Sequence, residues 1–189
     1  MRALQCFIID LPKKFKDKIK MGDKELDLVS KFNEFENRVM EATIVATPAK
    51  YKTDAKPGDT LYFHHSIVMN NTLKLEDGKY MVPFIPGAGR SNLGHAYKNE
   101  DGIHMIDEWV FLEPMESTKK LTSDVVEIVQ KEVQNNRGRV WANSPALSEE
   151  NLSIGDVVYF KKNADYEMEV DGKKVWRMTM NELLYAEVK

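Results

Sequence analysis

Cysteine is almost absent from this 189-residue chain, and its single thiol, Cys6, has no partner for a disulfide framework or a cysteine-rich zinc site. A reducing cytoplasm is the expected location. A dominant charge is also missing. With 27 Lys and Arg against 30 Asp and Glu, the net charge of −3 excludes both a strongly basic nucleic-acid binder and an acidic disordered tail. Long apolar runs are lacking too: Cys6-Phe7-Ile8-Ile9 stops at Asp10, far short of the roughly 18 residues that span a bilayer, so a soluble protein is expected. No basic segment followed by an apolar core and a small-residue cleavage site stands at the N-terminus, so no secretory signal is read there. What remains, 42% hydrophobic and 30% charged residues, fills either one medium domain or two small ones.

Internal repetition chooses between them. Ala46-Thr47-Pro48 and, ten residues beyond that proline, Gly58-Asp59-Thr60-Leu61-Tyr62-Phe63 return as Asn143-Ser144-Pro145 and Gly155-Asp156-Val157-Val158-Tyr159-Phe160, 97 residues on in both cases. Upstream, Phe7-Ile8-Ile9-Asp10-Leu11-Pro12 matches Trp109-Val110-Phe111-Leu112-Glu113-Pro114 in character. Downstream, Leu75-Glu76-Asp77-Gly78-Lys79 is echoed by Val170-Asp171-Gly172-Lys173. The first copy carries extra residues at about 83–95, whose Pro and Gly content reads as a mobile inserted loop. The sequence thus divides into units 1–101 and 102–189, with the boundary in the polar Asn99-Glu100-Asp101-Gly102 stretch.

Both copies read as short strands. The runs at Phe7 and Trp109 are aromatic and β-branched and end at a proline, which cannot donate to a ladder. Asp77-Gly78 and Asp171-Gly172 sit between apolar runs and carry a strong hairpin signal. Two small all-β barrels in tandem are the economical architecture.

At this point the order of motifs resembles the GroES-like co-chaperonins, the ring-forming lids of bacterial chaperonins. The second half carries the likeness best, in Gly138-Arg139-Val140-Trp141-Ala142, Gly155-Asp156-Val157-Val158-Tyr159-Phe160, Asp171-Gly172-Lys173 and the closing Glu182-Leu183-Leu184-Tyr185-Ala186-Glu187-Val188. The first half follows in the same order, with Glu41 where the glycine would stand. The resemblance implies two tandem, small, partly open GroES-like barrels and a non-enzymatic role without cofactor. The partner implied is a GroEL-type chaperonin, which binds the ATP. A homo-oligomeric ring and a phage origin are implied as well, with no nucleic acid and no membrane involved.

It also implies docking through an apolar loop in each half. These are 13–37, centred on Leu26, Leu28 and Val29, and 115–136, centred on Val125, Val126, Ile128 and Val129. Such a loop exchanges chain entropy for apolar burial, which keeps each contact weak and leaves strength to multivalency. The spacing of Val125, Val126, Val129 and Val133 also fits an amphipathic helix begun by a capping box at Asp124 and Glu127. Leu28, Phe32, Phe35 and Val39 keep helical spacing too. Both conformations stay open from sequence.

Signals for an enzyme are weak. His64 and His65, read as neighbours on a strand, would point to opposite faces and could not easily share a metal. His95 and His104 lie in or near the insert. Gly87-Ala88-Gly89-Arg90-Ser91 has the glycines of a phosphate loop without its Gly-Lys-Ser/Thr ending. Trp109, Trp141 and Trp176 read as packing residues, and Cys6 as a buried thiol. A virion-associated or assembly protein using the same barrel is the alternative to the co-chaperonin.

Overall fold

Alternation of buried and exposed side chains along short β-branched runs is what turns this chain into sheet. Glu41–Ala46 buries Ala42 and Ile44 and exposes the alternate residues Glu41, Thr43 and Val45. A computed structural model of the protein describes residues 2–15, 18–21, 24–27, 38–122 and 127–187, and side chains outside 16–37 and 117–135. Its strands are β1 (Cys6–Asp10), β2 (Lys18–Met21), β3 (Lys24–Asp27), β4 (Glu41–Ala46), β5 (Thr60–Phe63), β6 (Lys79–Pro83) and β7 (Gly94–Asn99). After these come β8 (Gly102–Met105), β9 (Trp109–Thr122), β10 (Glu127–Ala142), β11 (Val157–Phe160), β12 (Tyr166–Val170), β13 (Lys173–Thr179) and β14 (Leu183–Glu187). Two short helices, α1 (Ser66–Met69) and α2 (Pro145–Glu149), lie between strands.

The protein is mostly β, with two six-stranded antiparallel sheets of order β6-β1-β4-β5-β7-β8 and β12-β13-β9-β10-β11-β14, plus the two-stranded β2-β3. Among the described residues no ladder joins the edge strands of either sheet, so each stands open rather than closed into a barrel. The chain divides into two compact units, Met1–Ile103 and His104–Lys189.

Five strands share one order and one register, β6-β1-β4-β5-β7 in the first sheet and β13-β9-β10-β11-β14 in the second, whereas the sixth lies at opposite ends, β8 beside β7 and β12 beside β13. Ile9 pairs with Ile44 on one side and Tyr80 on the other, as Leu112 pairs with Val140 and Trp176. Ile8 lies between Ala46 and Met81, as Phe111 lies between Ala142 and Arg177. Farther along, Tyr62 links Glu41 to Ala96, as Tyr159 links Arg137 to Tyr185. Even the irregularities recur, beside Ile8/Ile9 and Val140/Ala142, and beside Tyr62/Phe63 and Tyr159/Phe160. A bulge is a built feature that re-aims a strand, so repeated bulges mean repeated geometry.

This register corrects the sequence alignment by one residue in two strands. Ile8 is the counterpart of Phe111 and not of Val110; Gly138 is matched by Ala42 and not by Glu41. Pro12 and Pro114 are not structural counterparts, since Pro114 lies inside β9 opposite Gly138, whereas Pro12 lies beyond the end of β1. A slip of one residue exchanges the two faces of a strand, so the correction decides which side chains meet the core.

The turns repeat as closely. The Ile44 amide donates to the Asp59 carbonyl (2.8 Å) and the Gly58 amide to the Ile44 carbonyl (2.9 Å); Val140 with Asp156 and Gly155 does the same at 2.9 and 2.8 Å. Each aspartate also accepts from the amide three residues back, Lys56 to Asp59 Oδ2 at 2.7 Å and Ser153 to Asp156 Oδ2 at 2.8 Å. Gly58 and Gly155 take φ of +100° and +95°, a region closed to most side chains. In the second unit the core gathers Val110, Leu112, Val140, Val158, Trp176 and Met178 around Phe160.

Candidate functional site

Each sheet sends out a two-stranded arm from between its first and second strands. In the second unit β13 pairs only with Trp109–Leu112 of β9, and β11 only with Arg137–Arg139 of β10. Beyond those rungs β9 and β10 run on alone, from Glu116 opposite Val133 to Thr122 opposite Glu127. At about 3.3 Å per residue, this ribbon reaches roughly 20 Å past the sheet. In the first unit the Phe15–Arg38 bridge and the Val39 amide donating to Lys14 (3.1 Å) close the base, and β2 and β3 form the ribbon, with Leu26 opposite Ile19.

Ile128 stands opposite Leu121 and Val129 opposite Lys120, both in strand. That overturns two sequence readings at once for 127–133, the amphipathic helix and the open loop. The sequence 127–133 is rich in β-branched residues, and the facing 116–122 segment supplies a ladder that a helix reading of one segment cannot foresee. Leu26, read from sequence as a centre of the loop 13–37, belongs to β3. Leu28, Val29, Val125 and Val126 lie outside the described residues. The structure therefore brings Ile128 and Val129 onto one ribbon and Leu26 onto another.

No protein-family model matches the chain, and no curated protein matches it. The site has to be read from its own geometry.

Histidines come together where the sequence reading separated them. β5 ends at Phe63, so His64 and His65 lie in the turn into α1 rather than on a strand, and their rings lie 4.2 Å apart between centroids. The Ser66 amide donates to His64 Nδ1 (3.1 Å), which also lies 2.8 Å from Ser66 Oγ. His95, fully buried on β7, is 6.1 Å from His64, edge to face. Among the described residues no group of three or more His, Cys, Asp or Glu is placed to hold a metal ion.

The insert after β6 is folded rather than loose. Asn92, 1% exposed, accepts from the Ile85 amide (2.8 Å) and donates to the Ile85 carbonyl (2.7 Å), so one side chain closes the loop with both bonds of a ladder rung. Composition could not reveal this, because it depends on a contact seven residues away.

Two surface features escaped the sequence reading. Tyr159 and Tyr185, paired across β11 and β14, stack at 4.3 Å, with the Arg137 guanidinium 5.2 Å from the Tyr159 ring. The Tyr159 hydroxyl donates to Glu187 (2.9 Å), and that bond holds its pKa above the ordinary phenol value. The second is a groove of about 500 Å³ in the first unit, walled by β1 and β6. Cys6 lines it, and partial burial pushes its thiol pKa up. Among the described residues no helix is long and apolar enough to cross a membrane.

Proposed function

We propose that this chain is a tandem co-chaperonin, a lid of the GroES-like kind built from two partly open barrels, which caps a GroEL-type chaperonin. The two arms are the docking elements. What supports this reading is that both sheets extend an arm from the same place, between first and second strand, where the sequence resemblance puts its docking segments. An isolated two-stranded ribbon is marginally stable in water, so an arm is free to reshape on a partner at modest cost. Each contact is then weak and reversible, and several arms in a homo-oligomeric ring supply the strength through effective concentration. ATP hydrolysis belongs to the chaperonin, and the setting is a cytoplasm, that of a bacterial host if the gene is a phage's.

The test mixes purified protein with a bacterial chaperonin and ATP, then measures co-sedimentation, the chaperonin's ATPase rate and refolding of a stringent client. ATP-dependent complex formation with a changed ATPase rate is expected. Absence of any complex in ATP overturns the proposal.

A second reading is a virion-associated or assembly structural protein, in which the paired 127–133 ribbon would serve as a permanent contact. Stable incorporation into particles, measured by mass spectrometry of purified virions, would select it.

A further inference from the structure

The shared register shows a face of the first sheet that differs from its counterpart in the second. Cys6 opposite Pro83 and Ile8 opposite Met81 occupy the rungs that Trp109 opposite Thr179 and Phe111 opposite Arg177 occupy in the second sheet. Strand alternation puts these residues on the face away from Val110, Leu112, Trp176 and Met178, which form the second unit's core. In the second unit that outer face is filled. Trp109 is 1% exposed and Phe111 fully buried, Arg177 lies 4.6 Å from the Trp109 ring and 4.1 Å from the Tyr166 ring, and Trp141 stacks on Phe111 at 6.3 Å. In the first unit smaller side chains stand there; Ile8 is buried, Cys6, Met81 and Pro83 are half-buried, and the groove of about 500 Å³ opens over them.

The groove's composition states what it would accept. Its walls are largely aliphatic, from Leu4, Ile8, Leu73, Leu75, Met81 and Ile85, and its charge comes from Arg2, with the Gln5 amide nearby in the lining. Leu4 and Ile85 are large apolar residues left 62% and 50% exposed at this groove. An apolar concavity of this size with one cation is the usual form of a small-molecule site, in which the walls supply affinity and the polar group orients the ligand. We propose that the groove over the paired strands β1 and β6 binds an apolar carboxylate, with an aliphatic or aromatic body over Ile8 and Met81 and its carboxylate on the Arg2 guanidinium. Charge complementarity selects an anion over a neutral or cationic amphiphile.

Cys6, the chain's only cysteine, lines the groove and reports its occupancy. The experiment follows alkylation of the intact protein by iodoacetamide at alkaline pH, with dodecanoate as the probe and dodecan-1-ol as its uncharged partner. Dodecanoate at ten times its dissociation constant is expected to slow alkylation about tenfold, because only unoccupied protein reacts. Arg2→Gln is expected to weaken dodecanoate roughly tenfold, as for loss of one charge-assisted bond, and to leave dodecan-1-ol unchanged. Met81→Arg, which installs the residue found at position 177, is expected to remove protection by both. Three results would overturn the proposal. The first is no saturable protection of the wild-type protein, a measurement that needs no variant to fold. The second is equal weakening of both probes by Arg2→Gln. The third is protection without any probe that grows with protein concentration and disappears in Leu4→Asp, which would assign the groove to a second copy of the chain.

Discussion

Single residues carry both the repeat and its exceptions. Asp59 and Asp156 each bind the amide three positions back and hold the tight turn into β5 or β11. Replacing either with alanine is expected to lower stability by about 1 kcal/mol in denaturant titration, the usual worth of a side-chain to backbone bond. Gly138 is a sharper case. A Cβ there would meet Leu112 Cβ at 3.0 Å and the Glu113 carbonyl at 3.3 Å, so Gly138→Ala forces neighbouring strands apart and should cost about 1–3 kcal/mol. The ladder counterpart, Ala42, already carries that Cβ. The thiol of Cys6 gives a pH signature. Because partial burial raises its pKa, the folded chain keeps the proton to higher pH than the unfolded chain. Its contribution to stability is complete below the unfolded thiol's pKa and is lost as pH rises through the folded value. The alkylation midpoint should therefore lie at higher pH in native protein than in urea.

Elements show what a local pattern can and cannot reveal. The hairpins at Asp77-Gly78 and Asp171-Gly172 were legible, since both pairs adopt left-handed φ of 55° and 71°, and 54° and 72°. The strands holding Trp109, Trp141 and Trp176 were legible too. The arms were not. A run such as Val125-Val126-Glu127-Ile128-Val129 satisfies helical and strand spacing together, and for Glu127, Ile128 and Val129 the choice falls to Thr122, Leu121 and Lys120, which pair with them. If the arms dock on a chaperonin, Leu28→Asp and Ile128→Asp should each weaken co-sedimentation by about tenfold or more, given a buried charge's cost at an apolar contact. Far-UV circular dichroism should stay unchanged, because the sheet rungs 109–114 and 137–142 lie outside the substituted positions. His64 and His65 teach the same lesson from the other side, since ending β5 at Phe63 turns an alternating pair into adjacent rings.

At the scale of the whole molecule, two compact units with one register predict independence of their turns. Asp59 and Asp156 accept from different amides in different units, so the double variant Asp59→Ala/Asp156→Ala should lose the sum of the single losses to within about 0.5 kcal/mol. A larger coupling, measured by a double-mutant cycle in urea, would show that the turns share a cooperative contact. The sequence by itself determined the all-β character and the hairpin turns, because period-2 burial and Asp-Gly act through near neighbours. Only the tertiary structure decided the one-residue register, the extended arms, the meeting of His64 with His95, and the groove left open where Cys6 and Ile8 stand in place of Trp109 and Phe111. The reason is physical: strand pairing is non-local, and a shift of one residue, invisible in composition, exchanges the two faces of a strand.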